Sequence, residues 1–333
     1  MKINEVRQRS PRYLSEQERI RIADLLSAGV TVRGIAEQLG RAASTVSREI
    51  ARNSDRAGRY RPHHAEHAAR LRACKPRKRR VVVDAVLAET VAQLLLKRWS
   101  PEQVAHELRV LFVGQPSRWL CKESIYQAIY DPAVDLTRPA RRRRRRRRLR
   151  GVQRRGRLTA MRMIDERPAD VEDRVQPGHW EGDLIMGAGN RSAIGTLVER
   201  TTRFLILLPL PDAIASADAV HYAITTALTG LPEALRRTLT WDQGKELAMH
   251  QQITTATGAA VFFCDAHSPW QRGSNENMNG LLRDYFPKGT DLSLYTAEAL
   301  ALVALEVNDR PRKTLGWQRP HALLNTAIAT AAT

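Results

Sequence analysis

The stretch His179-Trp-Glu-Gly-Asp-Leu-Ile-Met186 is a short apolar run interrupted by acids, and it predicts a β-strand that carries Asp183. A second apolar run, 235–241, leads directly into Asp242. A third acid, Glu276, stands in a polar segment that becomes helical a few residues later. Two divalent ions roughly 3.5–4 Å apart need several anionic oxygens that converge from different elements. Two strand-borne aspartates and a helix-borne glutamate therefore predict a two-metal site for phosphoryl transfer.

The elements predicted around these acids have an informative order. Three apolar runs separated by polar turns predict an antiparallel meander, and helices alternate with two further strands after it. This is the order of a ribonuclease-H-like (retroviral-integrase-type) α/β domain, in which the first and fourth strands lie adjacent at the centre of the sheet. We therefore expect Asp183 and Asp242 side by side, with Glu276 approaching from the following helix. The predicted strands are 179–186, 193–199, 204–210, 235–241 and 260–264, and the helices are 213–228, 246–257, 275–285 and 297–308.

Charge is distributed very unevenly along the 333 residues. Residues 1–170 contain 40 Lys and Arg against 18 Asp and Glu, a net charge of +22, whereas residues 171–333 contain 14 against 17, a net charge of −3. A basic half of this kind points to nucleic acid, because neutralised phosphates release counterions. A merely solubilising surface mixes the two signs more evenly. We therefore expect DNA as the partner, and the glycines beside the two aspartates, Gly182 and Gly244, to let its backbone approach.

Residues 14–53 have the pattern of a helix-turn-helix. Ser15 predicts a capping box at the start of a first helix, and Gly29 and Gly40 mark the ends of the first and second helices. In the third helix Val46 and Ile50 are four residues apart and face inward. A protein-interaction module is the alternative, which the basic context disfavours. The short hydroxyl and arginine side chains left facing outward suit a DNA major groove, and they are Ser44, Thr45, Ser47, Arg48 and Arg52.

A second helical unit is predicted over residues 57–137. Ser100 is a helix cap followed by Pro101 at the first helical position, and a further short helix from Lys122 turns Ile125 inward. This arrangement repeats the first motif with fewer outward basic residues. Two interpretations therefore stay open, a second DNA-reading helix-turn-helix and a packing or dimerisation element.

An arginine-rich linker is predicted over residues 138–172. The eight consecutive arginines at 141–148 repel one another and include no apolar residue, so they cannot form a packed core. The run is either a solvated spacer or a segment that lies along DNA phosphates or in a minor groove. Its candidate DNA-binding residues are Arg141, Arg142, Arg143 and Arg144.

The cysteines and the hydropathy pattern bear on the compartment. Cys74, Cys121 and Cys264 are far apart and lack metal-ligand spacing, which predicts buried, reduced thiols. The first residues contain no signal-peptide core, and no apolar stretch approaches the ~20 residues of a membrane span. We therefore expect a cytoplasmic protein without a membrane partner.

Three long motifs carry a family resemblance. They are His179-Trp-Glu-Gly-Asp-Leu-Ile, Leu239-Thr-Trp-Asp-Gln-Gly-Lys-Glu, and His267-Ser-Pro-Trp-Gln-Arg-Gly-Ser-Asn-Glu-Asn-Met-Asn-Gly-Leu-Leu-Arg-Asp-Tyr-Phe-Pro-Lys-Gly. Together with Thr45-Val-Ser-Arg-Glu-Ile near the front, they resemble the insertion-sequence-thirty family of bacterial DDE transposases over nearly the whole chain. The 33 residues between Asp242 and Glu276 fit the spacing of that family.

The resemblance implies a mechanism and its partners. Asp183, Asp242 and Glu276 would be the catalytic, metal-binding residues for two Mg²⁺ ions, for which Mn²⁺ can substitute, in an in-line displacement at phosphorus. Double-stranded DNA would be bound as terminal inverted repeats and as target, by a homo-oligomer associated with the bacterial nucleoid. No nucleotide cofactor is implied, and the sequence contains no phosphate-binding Gly-x-x-x-x-Gly-Lys-Ser/Thr loop. Residues that flank the acids and are candidates for gripping the cut strand are Lys245, Arg272, Asn275 and Asn279.

The sequence thus predicts an α+β multidomain protein, with N-terminal all-helical helix-turn-helix DNA-binding units and a C-terminal ribonuclease-H-like catalytic domain. The expected domains are 1–56, 57–137, the linker 138–172, and 173–333. Two rival functions stay open beside the transposase. One is a catalytically silent, sequence-specific DNA-binding regulator, and the other is a ribonuclease-H-like nuclease that cuts without strand transfer.

Overall fold

The computed structural model describes residues 13–74, 79–132, 134, 136, 159–266 and 268–331. The chain divides into two compact units, Met1–Arg79 and Arg80–Thr333. None of the described helices combines the length and the apolar character that crossing a membrane requires. The predicted linker lies mostly outside the described residues, as do Arg141, Arg142, Arg143 and Arg144.

The described residues of the first unit form four helices around a small apolar core. The predicted capping box at Ser15 is present, since its side chain accepts from the Glu18 backbone and the Glu18 carboxylate accepts from the Ser15 backbone. Ile22, Ile35 and Val46 are fully buried. The helices are α1 (Glu16–Ser27), α2 (Val32–Leu39), α3 (Ala43–Asn53) and α4 (Pro62–Cys74).

A buried arginine joins three of these helices. Arg19 on α1 contacts Glu49 on α3, with 2.7 Å between Nε and Oε1, and Glu66 on α4, with 2.6 Å between Nη1 and Oε2. Charge-assisted hydrogen bonds of this kind compensate the desolvation of the guanidinium. As a result α4 packs on α1, whereas the sequence assigned residues from 57 onward to a second domain. The boundary between compact units lies at Arg79.

A block of four helices begins the second unit. The predicted cap at Ser100 is present, with Pro101 at the first position of its helix. Leu87, Trp99 and Ile125 form the centre of a separate apolar cluster. The helices are α5 (Arg80–Val83), α6 (Ala85–Leu96), α7 (Pro101–Leu111) and α8 (Lys122–Ile129). At the start of α8 Cys121 is exposed, contrary to the expectation of buried thiols, whereas Cys264 is buried.

One face of α7 packs on the C-terminal segment of the chain. The Gln103 side chain donates to the Pro311 carbonyl at 2.9 Å, and Arg319 pairs with Glu107 at 2.6 Å. The His106 ring stacks on Trp317 with 4.3 Å between centroids. The block therefore belongs to the same compact unit as the sheet and is not a freely hinged module.

The sheet has five strands in the order β3-β2-β1-β4-β5. β1 pairs antiparallel with β2 and parallel with β4, which confirms the predicted adjacency of the first and fourth strands. β3 is antiparallel to β2, and β5 is parallel to β4. The strands are β1 (His179–Met186), β2 (Ala193–Glu199), β3 (Leu205–Leu208), β4 (Thr238–Trp241) and β5 (Ala260–Phe263).

Helices cover both faces of this sheet. Alternate residues of a strand point to opposite faces. Trp180 and Trp241 accordingly lie in the core with α10 and α11, while Ile185 lies in the core with α12 and α13. Two helices start later than predicted, because short 3₁₀ turns precede them. The helices are α9 (Asp170–Asp173), α10 (Ala217–Thr229), α11 (His250–Thr257), α12 (Gly273–Leu282), α13 (Ala297–Asn308) and α14 (Pro320–Ala331).

His179, at the start of β1, should make the fold sensitive to acid. Its Nδ1 lies 2.9 Å from the Thr238 hydroxyl, and burial lowers the pKa of the ring to about 4. Between pH 6.5 and 4 the unfolded chain therefore binds a proton that the folded chain does not. The stabilisation is complete above pH 6.5 and is lost as the pH falls toward 4, by about 3 kcal/mol in all.

This prediction can be checked by measuring the free energy of unfolding against pH for the wild type and for His179→Asn, which does not titrate. The wild type should lose stability more steeply between pH 6.5 and 4. Parallel curves for the two proteins would show that His179 does not control acid sensitivity.

Candidate active site

Asp183 lies on β1, on the face of the sheet that α12 covers. Its Oδ1 accepts from the Leu184 backbone at 2.9 Å, and its Oδ2 accepts from the Asn279 side chain of α12 at 2.9 Å. Burial raises the pKa of the Asp183 carboxyl, Arg272 opposes that shift, and the charge of Asp242 adds to it. The side chain remains 32% exposed. The Asp183 carboxylate is thus held in place by two hydrogen bonds and remains partly accessible to solvent.

Asp242 follows β4 directly and shares a cation with Asp183. Arg272 Nη2 lies 3.6 Å from Asp242 Oδ2, and its Nη1 lies 3.4 Å from Asp183 Oδ1. The same Nη1 donates to the Gly182 carbonyl at 2.7 Å. Asp242 is 41% exposed and Arg272 only 12%. The two aspartates therefore meet at the end of the central strand pair, with one buried guanidinium between them and the sheet.

Glu276 stands on the first turn of α12 and is exposed. It is three residues before Asn279, which corresponds to roughly 60° around the helix axis. Glu276 therefore lies on the flank of the helix face that touches Asp183. Among the residues that the structure describes, no three His, Cys, Asp or Glu side chains form a ready set of metal ligands.

Glu181 shares a strand face with Asp183 but has a different role. It is fully buried, its Oε2 accepts from the Asn275 backbone at 2.9 Å, and its Oε1 lies 3.5 Å from Arg200 Nε. The Asn275 side chain also donates to the Glu181 carbonyl at 2.8 Å. Glu181 is therefore committed to holding the start of α12 on the sheet, which leaves Asp183 as the acid that faces solvent.

The four candidates for gripping DNA fall into different environments. Lys245 is exposed just after Asp242, whereas Asn275 is fully buried and holds α12 on β1. Asn279 and Arg272 touch the aspartates themselves. Asn275 is thus not available to a DNA strand, a correction that follows from its two bonds to Glu181.

Two further charged residues interact with the aspartates, and of these Arg283 was not singled out from the sequence. The charge of Asp183 acts on Arg283, whose Nη1 donates to the Met186 carbonyl at 3.2 Å. Burial, and then the charge of Asp242, raise the pKa of Glu246. Arg283 could have been found from its spacing, because it lies four residues after Asn279, at the C-terminal cap of α12, and so on the same side of the helix.

Comparison with known proteins places this geometry in a family. Models of a helix-turn-helix domain and of an integrase core domain match residues 10–53 and 174–269. The transposase for insertion sequence element IS1086 of Cupriavidus metallidurans is 45% identical over 95% of each chain. The transposase InsI for IS30A of Escherichia coli is 38% identical over 95% of this chain and 84% of that one. The transposase for IS4351 of Bacteroides fragilis is 33% identical over 93% and 94%.

The chain belongs to the IS30 family of insertion-sequence transposases. It is therefore an enzyme of the polynucleotidyl transferase type, and its helix-turn-helix domain implies that it binds DNA. Proteins with an integrase core typically use a divalent metal.

The oxygen donors of this transposase fit a hard divalent ion. Asp183 and Asp242 already share one cation, Arg272, and the third acid stands on the adjacent helix. Carboxylate oxygens are the ligands that Mg²⁺ and Mn²⁺ prefer. Because Arg272 contacts the same oxygens, a bound ion would compete with its guanidinium.

The glycines beside the aspartates make room for the transposase's own side chains. A Cβ on Gly182 would lie 2.0 Å from the Trp241 ring, and one on Gly244 would lie 2.0 Å from the Glu246 carboxylate. Real Cβ atoms do not approach so closely, so Gly182 is required for packing against the Trp241 ring, whereas at Gly244 the flexible Glu246 side chain can move aside. The expectation that Gly182 admits a DNA backbone is corrected accordingly, and for Gly244 it stays a prediction.

The helix-turn-helix of the transposase presents the predicted residues on one helix, α3. Val46 is buried against α1 and α2, as its spacing indicated. The five outward candidates, Ser44, Thr45, Ser47, Arg48 and Arg52, are all exposed.

Proposed function

We propose that this transposase binds the terminal inverted repeats of its element and then cuts and joins DNA strands at Asp183, Asp242 and Glu276. The observation that carries the proposal is the meeting of Asp183 and Asp242 at the end of adjacent parallel strands, around a single shared cation. Carboxylates that share a cation in this way are suited to holding metal ions for phosphoryl transfer.

The three acids would hold two Mg²⁺ ions, which, when bound, polarise the scissile phosphodiester and lower the pKa of the attacking hydroxyl group. Asn279 keeps the Asp183 carboxylate in one orientation, and Asn275 fixes the helix that carries Glu276. Lys245 and Arg283 add positive charge next to the phosphate path. In the first reaction water cleaves the strand and leaves a 3′-hydroxyl, which then attacks a target phosphodiester and displaces its 3′-oxygen.

The proposal is tested with a labelled duplex that carries the terminal repeat of the element, incubated with the full chain with and without Mg²⁺. We expect metal-dependent nicks at the repeat boundary and longer, joined products. Nicks without joined products would make the chain a nuclease. Tight binding without any new ends under Mg²⁺ or Mn²⁺ would make it a repeat-binding regulator.

Arg48, one of the five exposed candidates on α3, should contact bases of the terminal repeat. An arginine that contacts a base edge contributes about 1–3 kcal/mol of discrimination, so Arg48→Ala should lower affinity for the repeat by roughly 5- to 150-fold. Affinity for random DNA should change far less. Both affinities are measured by fluorescence anisotropy at one salt concentration.

The matched control is Arg21→Ala, which removes the same charge from the exposed surface of α1. It should weaken binding to both DNAs slightly and equally. If Arg48→Ala behaves in the same way as Arg21→Ala, Arg48 contacts only phosphates.

Assembly is part of the proposal, because strand transfer requires two element ends to be held together. We therefore propose a dimer or higher oligomer on DNA in the bacterial cytoplasm, close to the nucleoid. Light scattering of the chain bound to repeat duplexes measures this directly, and one chain per duplex with no pairing of duplexes would contradict it.

A further inference from the structure

A cavity of about 380 Å³ lies between the segment 164–174, Arg200 and the turn that precedes α12. Its lining differs from that of an ordinary apolar pocket, because arginines, a tryptophan and two acids, Asp165 and Glu172, surround it. The residues that matter are Arg167, Arg174, Arg200, Glu172, Trp270 and Gln271, and the cavity is called the Trp270 pocket below.

Two arginines of the Trp270 pocket contact strand residues that precede Asp183 and Asp242 by two positions. Arg200 faces Glu181, which stands two residues before Asp183 on β1. Arg167 Nη1 donates to the Thr240 hydroxyl at 3.0 Å, and Thr240 stands two residues before Asp242. Residues i and i+2 of a strand share a face and are about 6.6 Å apart. A DNA strand that crosses the acids therefore passes next to this pocket.

At the floor of the pocket two guanidinium groups are buried, and in the described part of the chain Arg200 has donors without acceptors, whereas Arg167 donates to Thr240 and Glu172. Arg200 is 2% exposed, and its Nε and Nη1 have no hydrogen-bond acceptor within the described part of the chain. Arg167 is 8% exposed, and burial lowers its pKa to about 10. Buried donors without acceptors are costly unless a ligand supplies them.

One exposed acid, Glu172, forms ion pairs with both guanidinium groups. Glu172 accepts from Arg167, and its other oxygen accepts from Arg200 Nη2 at 3.0 Å. Its side chain is 64% exposed, so the carboxylate itself can return to solvent once another anion pairs with the two guanidinium groups. A phosphate has more acceptor oxygens than a carboxylate and pairs well with arginine, so it can take the place of Glu172.

Trp270 supplies the second recognition element. It is 72% exposed at the rim of the pocket, in the turn Pro269–Arg272 that leads into α12. Nucleic-acid bases stack on exposed aromatic rings whatever their sequence. The pocket thus combines an anion site with a stacking surface, and its volume lies within the range of small-ligand pockets.

We infer that the Trp270 pocket holds one nucleotide of the strand being cut, with its base stacked on Trp270 and its phosphate bound by Arg167 and Arg200 in place of Glu172. This inference rests on the proposed function, because it takes the strand at the acids to be DNA. It assigns the pocket a role in fixing the strand end next to the reacting phosphodiester.

The test is photo-crosslinking with the full chain in EDTA, where no cleavage occurs. 5-Iodouracil is placed in turn at each position around the repeat boundary, and crosslinked peptides are identified by mass spectrometry. We expect crosslinks to Trp270 from one or two adjacent positions at the boundary. Trp270→Ala should lower the crosslink yield at those positions by roughly 5- to 150-fold, as the loss of one stacked base predicts.

Tyr222→Ala is the matched control, because it removes another exposed aromatic side chain, on α10. Its crosslink pattern should equal that of the wild type. Crosslinks that map to residues outside the pocket, with Trp270→Ala unchanged, would overturn the inference.

Glu172→Gln provides a second, opposite test. Removal of the competing charge should raise the crosslink yield at the boundary about two- to fivefold, the worth of an exposed ion pair. Glu166→Gln removes an equal charge from an exposed side chain that pairs with Arg162 and should change nothing. A lower yield for Glu172→Gln, at unchanged thermal stability, would contradict the exchange of Glu172 for phosphate.

The two hypotheses fail separately. Mg²⁺-dependent cleavage together with crosslinks elsewhere would overturn the pocket and leave the proposed function standing. Crosslinks to Trp270 in a chain that never cleaves DNA would uphold the pocket and overturn the proposed function.

Discussion

Replacing Asp242 with Asn should abolish Mg²⁺-dependent strand cleavage, with a loss of at least about 10³-fold, because a metal ion contributes several kcal/mol to the transition state. The substitution removes the negative charge of a ligand but keeps an oxygen for the Gly244 backbone, which donates to Asp242 Oδ1 at 3.2 Å. The fold should therefore survive, and affinity for the terminal repeat should be unchanged. Cleavage and binding are measured on the same preparation.

The control for this variant is Asp218→Asn. Asp218 is an exposed acid in the first turn of α10, in the same domain. The Asp218→Asn variant should cleave DNA as the wild type does. That result would show that the loss of one acidic charge in this domain does not by itself abolish cleavage. Cleavage by Asp242→Asn within tenfold of the wild type would show that the three-acid assignment is wrong.

The sheet could be predicted from the sequence because its central strands carry strong local signals. The bounds predicted for β1 and β2 are those observed, since turn residues flank both runs. The adjacency of β1 and β4 followed from the order of the elements. Asp183 and Asp242 were expected side by side for that reason, and the structure brings them to one guanidinium.

Side-chain choices within the site could not be predicted in this way. The periodicity of the strand puts Glu181 and Asp183 on one face, but it does not reveal that Arg200 and Asn275 contact the Glu181 carboxylate. Nor does spacing show that Arg272 reaches back to both aspartates. Such contacts depend on tertiary packing between residues that are far apart in sequence.

The boundary predicted between residues 56 and 57 differs from the observed one, at Arg79, for a related reason. The composition of residues 57–74 resembles that of the basic stretch after it, so the sequence grouped them together. The ion pair between Arg19 and Glu66 instead ties α4 to the first unit. Likewise, the packing of α7 against Pro311 and Trp317 joins segments about two hundred residues apart. Pattern along the chain does not reveal contacts of that range.

Replacing Glu181 with Ala should lower the free energy of unfolding by about 3–5 kcal/mol, the cost of leaving a buried charge without its partner. Arg200 would lose its buried counter-charge, and the Asn275 backbone would lose its acceptor at the start of α12. Glu181→Gln keeps an acceptor for Asn275 but not the charge, so it should lose less. Urea unfolding followed by tryptophan fluorescence measures both, with the exposed Glu233→Ala as the control. If Glu181→Ala unfolds within 1 kcal/mol of the control, a value typical of surface changes, α12 is held by its apolar contacts and not by this acid.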